Sequence, residues 1–439
     1  MSNFVIIKDK IKKFNKKIKV SGDKSISIRW VLFSSIASGI STAKNLLMSE
    51  DVLSAIDVIR KLGIKVQINK QKCKIFGKGI NGYQYKKNIK IDAKNSGTLG
   101  RLILGLLINT PYPIKLIGDK SLSKRDFKRV SDPLSKFGAR FKLNKKGLPL
   151  TIYGSSELKP INYIENKGSA QCKSSVMLAA MRTEGTTSIK AKKSRNHTEL
   201  LCRYLDLPIK IKKKNNYDLI NIKKTNKIKK INYIIPSDIS SGAFFIVLTV
   251  LSKNSVLVLK NININPSRIG IVKILKKMGV KIIFKNKRVY KGEAIADIKV
   301  VSQSSLKAIN CPQKLNSGAI DEFLLIFLVA AKAKGISYFK GLSELNQKES
   351  PRLKWGSKIL KKMGIKSVVK NNSIKIFGNP SLKFNKKIII KNFLKDHRVF
   401  MTSVIAALSF GGIWKIYDKN SIDTSFPDFL KIINNLKND

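Results

Sequence analysis

The stretch Gly22-Asp23-Lys24-Ser25-Ile26-Ser27-Ile28-Arg29 sets a lysine, two serines and an arginine beside a glycine, just ahead of an apolar run. These residue types suit an oxyanion. Glycine lets a loop present backbone N–H groups, the hydroxyls add donors, and a helix read over residues 30–37 brings partial positive charge at its N-terminus. Taken alone, the cluster reads more readily as an ordinary helix cap. Comparable clusters recur, however, ahead of other apolar helical stretches. Asn95-Ser96-Gly97-Thr98 precedes a helix read over 99–108, and Gly168-Ser169-Ala170-Gln171-Cys172-Lys173 precedes one over 174–181. Pro236-Ser237-Asp238-Ile239-Ser240-Ser241, Ala319-Ile320-Asp321-Glu322 and Lys395-Asp396-His397-Arg398 introduce helices read to end at 251, 331 and 408. Six such N-termini pointed into one cleft would make a converging positive field, suited to a substrate with several negative charges. Arginine sharpens the reading, because the chain uses lysine almost everywhere else. Arg29, Arg101, Arg125, Arg129, Arg195, Arg352 and Arg398 all fall in clusters with Ser, Thr, Asp, Glu or His. A planar fork that grips carboxylate or phosphate explains that choice, although one or two of these arginines read as plain surface ion pairs.

The elements that must hold these clusters form a repeating pattern of strand, polar loop, helix ending in glycine, second strand and short hairpin strand. Its clearest mark is the joint from helix to strand: Lys61-Leu62-Gly63-Ile64, Lys136-Phe137-Gly138-Ala139, Lys277-Met278-Gly279-Val280 and Lys362-Met363-Gly364-Ile365. Glycine there fits the position after a helix that takes positive φ. A hairpin ending recurs as Ile75-Phe76-Gly77, Ile152-Tyr153-Gly154 and Ile376-Phe377-Gly378. With degenerate copies near 205–211 and 426–436, the chain reads as six units spaced by roughly 70–80 residues, longer than solenoid repeats. Its 439 residues suit two domains of roughly 200 each.

Composition sets further bounds. Hydrophobic residues make up 43% of the chain, and the longest apolar runs fall far short of the about 20 residues of a membrane span. Residues 1–20 are basic without a continuous apolar stretch and read as no removable leader. Cys73, Cys172, Cys202 and Cys311 lie far apart without metal-like spacing, which predicts reduced thiols in a cytoplasmic protein. The net charge of +60 first suggests nucleic acid. Yet the lysines are spread over the whole length among Asn and Ile, with no basic tail or aromatic-studded stripe, as an AT-rich coding bias would leave them.

In their order along the chain, Asp23-Lys24-Ser25-Ile26-Ser27 with Arg29, Asn95-Ser96-Gly97-Thr98, Lys124-Arg125, Ser169-Ala170-Gln171, Ser194-Arg195-Asn196-His197-Thr198-Glu199, Asp238, Asp321-Glu322, Lys348-Glu349-Ser350 with Arg352, Asp396-His397-Arg398 and Ser425-Phe426-Pro427 resemble the motifs of the 5-enolpyruvylshikimate-3-phosphate synthase family. The resemblance runs from about Val20 to the C-terminus. It implies an α/β (α+β) architecture, a two-domain inside-out α/β barrel-like fold of six βαβαββ repeats, three per domain, closing on substrate. Residues 21–235 would form the domain on the shikimate 3-phosphate side; residues 1–20 with 236–439 would form the second, which closes on phosphoenolpyruvate. The implied activity is transfer of the enolpyruvyl group of phosphoenolpyruvate to shikimate 3-phosphate, on the route to chorismate and aromatic amino acids. No metal or organic cofactor, no membrane and no specific nucleic acid are implied, and the chain is expected to be a monomer.

By resemblance the catalytic groups are Lys24, Asp321 and Glu349. Glu349 and Lys24 would serve the methylene and bridging-phosphate side, while Asp321 takes the hydroxyl proton. The shikimate 3-phosphate ligands would be Lys24, Ser25, Arg29, Ser169, Ala170, Gln171, Arg195, Asp321 and Lys348. Those of phosphoenolpyruvate would be Lys24, Asn95, Gly97, Arg125, Gln171, Arg352 and Arg398. His197 and His397 read as hydrogen-bonding supports. Ile28, Lys94, Leu102 and Thr424 depart from the family pattern, which more often has His or Asn, Gly, Pro and Lys there. Gly97 in place of the alanine of resistant members implies inhibition by glyphosate, in competition with phosphoenolpyruvate. The sister transferase acting on UDP-N-acetylglucosamine shares the fold, but its loop carries a reactive cysteine, and none lies between Cys73 and Cys172.

Overall fold

Parallel strands need a crossover, and a helix is the usual way to make one. The computed structural model, which describes residues 3–382 and 384–437, uses this unit throughout. In the second copy, Lys90–Asp92 runs parallel to Ile114–Ile117, with the helix Gly97–Leu106 between them. A second helix, Lys128–Ser135, leads into the hairpin Arg140–Asn144 and Gly147–Tyr153, whose last strand returns antiparallel to Ile114–Ile117. In order of appearance the strands therefore lie 1-2-4-3 across the sheet. Arg140–Asn144 alternates exposed and half-buried residues, as a strand with one face on helices must.

Residues 22–235 with 291–293 make one compact unit, and the second comprises the N-terminal segment through Ser21, Pro236–Tyr290 and the chain from Ala294 onward. In the first unit, the opening strand of the first sheet comes from the far end of the segment: Asn232–Ile234 pairs parallel with Ser38–Lys44, Asn232 opposite Thr42. In the second unit, the N-terminal segment supplies two strands. Asn15–Ile18 fills the first-strand place beside Val256–Asn263, and Phe4–Ile7 fills the fourth-strand place beside Ile413–Tyr417. Five sheets have four strands, and the sixth has three among the described residues. Among the described residues the sixth copy of the repeat thus lacks the first strand of its hairpin. Among the described residues the six sheets remain separate, and none closes into a barrel.

Inside each unit the first helices of the repeats pack together: Gly97–Leu106 on Ala170–Ala180, and Ile239–Leu251 on both Phe323–Lys332 and His397–Phe410. Every residue of Ile239–Leu251 and His397–Phe410 is buried, as expected of helices surrounded on all sides. The second helices lie outside and are amphipathic; Gly270–Lys277 buries Ile271, Val272, Ile274 and Leu275 and leaves its lysines in water. The helix-to-strand joints are as the sequence predicts, with Gly63, Gly138, Gly279 and Gly364 at φ of +85°, +118°, +93° and +79°. The degenerate third copy uses Asp206 at φ +53° instead. No helix of the described residues is long and apolar enough to cross a membrane.

Helix starts depart from the sequence reading. Lys24–Ser35, Gly97–Leu106, Ala170–Ala180, Ile239–Leu251 and His397–Phe410 begin two to six residues earlier than read from apolar periodicity. Five of the six polar clusters therefore supply first turns, whereas Ala319-Ile320-Asp321-Glu322 lies ahead of the helix Phe323–Lys332. The reason is local capping: the side chains of Asp23, Ser96, Ser169, Asp238 and Asp396 accept from backbone N–H groups two or three residues on.

Candidate active site

Asp23 starts the first helix by accepting from the Ile26 N–H at 2.9 Å, which places Lys24, Ser25 and Arg29 on its first turns. Lys24 Nζ meets Asp51 Oδ2 at 2.8 Å. Arg29 is buried and donates only to neutral oxygens: Thr198 Oγ1 at 2.8 Å, Ser25 O at 3.0 Å and Ser174 Oγ at 3.1 Å. Burial lowers its pKa to about 10, partly offset by the negative charges of Glu199, Asp23 and Glu293, while nearby Arg195 lowers it further. Ile28 is fully buried in the core, so the polar group usual there has no place in this packing.

The Ser169 hydroxyl caps the helix Ala170–Ala180, and its N–H donates to Glu165 Oε2 at 2.8 Å. Ala170 and Gln171 follow on the first turn. Gln171 Nε2 donates to Thr98 Oγ1 at 3.0 Å, and its carbonyl oxygen accepts from Arg101. Gly97 opens the neighbouring helix. A Cβ placed there would lie 2.8 Å from Arg125 Nη1 and 3.4 Å from Arg101 Nη1. Asn95 is turned to Asp119, donating to Oδ2 at 2.6 Å. Lys94 takes φ +47°, so it adopts the left-handed turn usual for glycine. The structure thus brings Asn95, Gly97, Arg125 and Gln171 together in one unit. It adds Arg101, absent from the set of ligands read from the sequence. Arg101 lies over the Phe127 ring at 5.4 Å, and burial lowers its pKa to about 10. Its scarcity among lysines was the signal that could have promoted it.

In the second unit Asp321, Lys348, Glu349 and Arg352 form one ion cluster. Asp321 Oδ1 takes Lys348 Nζ at 3.2 Å and Arg352 Nη1 at 3.4 Å. Arg352 also pairs with Glu349, and its Nε and Nη2 reach Asp396 Oδ2 and Oδ1 at 2.9 and 3.2 Å. Burial alone would lower the pKa of Arg352, but Asp396, then Glu349 and Asp321, push it up. Asp396 ties this arginine to the next helix by accepting from the Arg398 N–H at 2.9 Å, and it accepts from Ser350 Oγ at 2.8 Å. Arg398 Nη1 lies 3.6 Å from Glu322 Oε1, with its guanidinium 5.8 Å from the Phe244 ring centre. Glu322 accepts from Ser240, which accepts from Arg268 at 2.9 Å. Sequence reading named Arg352, Arg398 and the carboxylates Asp321, Glu322, Glu349 and Asp396, but not which of them pair, at separations of as much as 76 positions in the chain.

Both histidines have structural partners. His197 Nδ1 lies 2.6 Å from Glu293 Oε1, and His397 Nδ1 lies 3.2 Å from Thr424 Oγ1. Thr424, where lysine is more usual, thus takes a place in a hydrogen-bonded chain that ends on Ser421 O at 2.9 Å. Among the described residues no group of three or more His, Cys, Asp or Glu is arranged to hold a metal ion.

The sequence profile of the family EPSP synthase (3-phosphoshikimate 1-carboxyvinyltransferase) matches residues 8–433. The 3-phosphoshikimate 1-carboxyvinyltransferase of Ruthia magnifica subsp. Calyptogena magnifica is 39% identical over 420 residues, covering 95% of this chain and 94% of that protein. That of Petrotoga mobilis (strain DSM 10674 / SJ95) is 35% identical over 427 residues, covering 96% and 97%. The solved EPSP synthase from Acinetobacter baumannii superposes with a TM-score of 0.86 at 34% identity, over 98% of each chain. With a profile match and relatives that span nearly its whole length, the chain belongs to the EPSP synthase family.

Proposed function

We propose that the chain transfers the enolpyruvyl group of phosphoenolpyruvate to the 5-hydroxyl of shikimate 3-phosphate and releases phosphate. Arg29, Ser25, Ser169, Ala170, Gln171, Arg195 and Lys348 are read as ligands of shikimate 3-phosphate, with Lys24 and Asp321. Asn95, Gly97, Arg125, Gln171, Arg352 and Arg398, again with Lys24, are read as ligands of phosphoenolpyruvate. The observation that carries the reading is the cluster in which one buried arginine, Arg352, touches both Asp321 and Glu349.

Such an arrangement suits two opposed proton transfers. In the addition step Glu349 gives a proton to the methylene carbon of phosphoenolpyruvate, Asp321 takes the proton of the 5-hydroxyl, and the oxygen bonds to the central carbon. Arg352 stabilises the Glu349 carboxylate left behind. In the elimination step the carbon–oxygen bond to phosphate breaks, Lys24 gives the leaving oxygen a proton, and the methyl group returns one to Glu349. Gly97 and its arginine neighbours would admit glyphosate to the phosphoenolpyruvate place. The reading takes the protein as a cytoplasmic monomer, supported by the mutual repulsion that a +60 net charge imposes.

A continuous phosphate assay tests the proposal. Phosphate should be released from phosphoenolpyruvate only when shikimate 3-phosphate is present, and UDP-N-acetylglucosamine should not replace it. Release that ignores the acceptor, or that requires the nucleotide sugar, would overturn the assignment.

A further inference from the structure

Within the unit that carries Arg29, one buried ion pair has no place in the reaction described above. Lys173 Nζ lies 2.5 Å from Glu199 Oε1, and the two side chains are 0% and 4% exposed. Among the described residues, neither the ammonium nor either carboxylate oxygen has a hydrogen-bond partner beyond this pair. A buried ion pair is poor value as a source of stability, since desolvation offsets most of the attraction. Its location points to another role. Lys173 precedes Ser174 on the helix Ala170–Ala180, and Glu199 follows Thr198 on the helix His197–Tyr204. Ser174 and Thr198 are the two hydroxyls that hold Arg29, and they bond to each other at 2.7 Å.

Arg29 is buried without a direct carboxylate partner, its hydrogen bonds all going to neutral oxygens. Of the negative groups around it, Glu199 acts most strongly on its charge, yet it is engaged elsewhere. A carboxylate left unpaired beside a buried guanidinium would form a bidentate pair with it and cancel the charge that an anionic ligand needs. We propose that Lys173 and Glu199 are positioning residues for Arg29: Lys173 holds the Glu199 carboxylate off the guanidinium, which keeps its charge available to the phosphorylated substrate. The inference rests on the reading of Arg29 as a ligand of shikimate 3-phosphate.

Calorimetric binding of shikimate 3-phosphate, with steady-state kinetics, tests it on the full chain. Lys173→Met should weaken shikimate 3-phosphate binding by about tenfold or more, the scale of a charge-assisted contact, while the KM for phosphoenolpyruvate changes little. The double variant Lys173→Met/Glu199→Gln, with no carboxylate left to capture Arg29, should bind within about threefold of wild type. A part that is only packing would not be rescued by deleting the second charge. Unchanged binding in Lys173→Met, or a double variant as weak as the single one, overturns the inference. If Lys173→Met does not fold, Glu199→Gln decides: binding as tight as wild type or tighter is expected, and a tenfold loss refutes the idea. A folded wild type that does not bind shikimate 3-phosphate, or an Arg29→Lys variant that binds as wild type does, defeats instead the reading of Arg29 and the inference with it.

Discussion

Arg352 shows at the scale of one residue how charge balance and chemistry are joined. Asp321, Glu349 and Asp396 all touch it, so replacing one carboxylate by its amide leaves the arginine two partners and the fold intact. Glu349→Gln and Asp321→Asn should therefore fold normally yet lose about 10²–10⁴-fold in kcat, the usual loss when a positioned acid or base is removed. Turnover near that of wild type in either variant would remove the corresponding proton-transfer role. Gly97 gives a second test at this scale. The atoms that an added Cβ would meet are the far ends of the Arg125 and Arg101 side chains, which can shift, so Gly97→Ala should fold. The methyl group takes up space where phosphoenolpyruvate is read to bind, and glyphosate is the longer molecule. The inhibition constant for glyphosate should rise far more than the KM for phosphoenolpyruvate. Equal rises in both, or a wild type indifferent to glyphosate at low phosphoenolpyruvate, would show that Gly97 does not bound that pocket.

Among the elements, five of the six first helices share one design, a polar first turn and an apolar body that carries the core, while Phe323–Lys332 is apolar from its start. Those five N-termini are capped by an Asp or Ser side chain, which lets ligand-type residues stand inside the helix. In the turn ahead of Gly97–Leu106 the sequence fits its backbone poorly. Lys94 is exposed at φ +47°, and its N–H donates to Asp92 Oδ1 at 2.8 Å. The left-handed conformation costs a non-glycine residue about 1–2 kcal/mol, whereas glycine gives back roughly 0.5–1 kcal/mol in chain entropy. Lys94→Gly should therefore raise the urea midpoint, by a net stabilisation of up to about 1 kcal/mol. A lowered midpoint would mean that the lysine side chain, not its backbone, stabilises the turn.

For the molecule as a whole, the four cysteines report on opening of the fold. All are free and buried. Burial pushes the Cys73 thiol up to about 12 and that of Cys311 up to about 11, and it raises Cys172 and Cys202 as well. Since the thiolate is the reactive form, a thiol reagent at pH 8 should label the folded protein far more slowly than the urea-unfolded chain. One thiol reacting rapidly under native conditions would identify a part of the fold that opens on its own. The net charge of +60 has a separate consequence. It should give weak retention on a DNA column that falls steeply with salt and shows no sequence preference; retention that survives high salt would argue for a true nucleic-acid site.

Features that depend on residues within a few positions of one another were legible in the chain's order of residues. Apolar periodicity marked the helices, glycine after Leu62, Phe137, Met278 and Met363 marked the joints that need positive φ, and the ordered motifs marked the family. Helix starts lie ahead of the apolar periodicity because a cap such as Asp23 turns polar residues into a first turn through a bond only three residues long, while periodicity begins with the apolar body. Tertiary structure alone decided how strands distant in the chain combine: Phe4–Ile7 finds Ile413–Tyr417, and Asn232–Ile234 finds Ser38–Lys44. It alone also decided which charge balances which. Asp396 on Arg352, Glu322 on Arg398 and Lys173 on Glu199 are separated by 26 to 76 positions in the chain. The strength of such a pair depends on distance and burial in space, and neither is encoded in spacing along the chain.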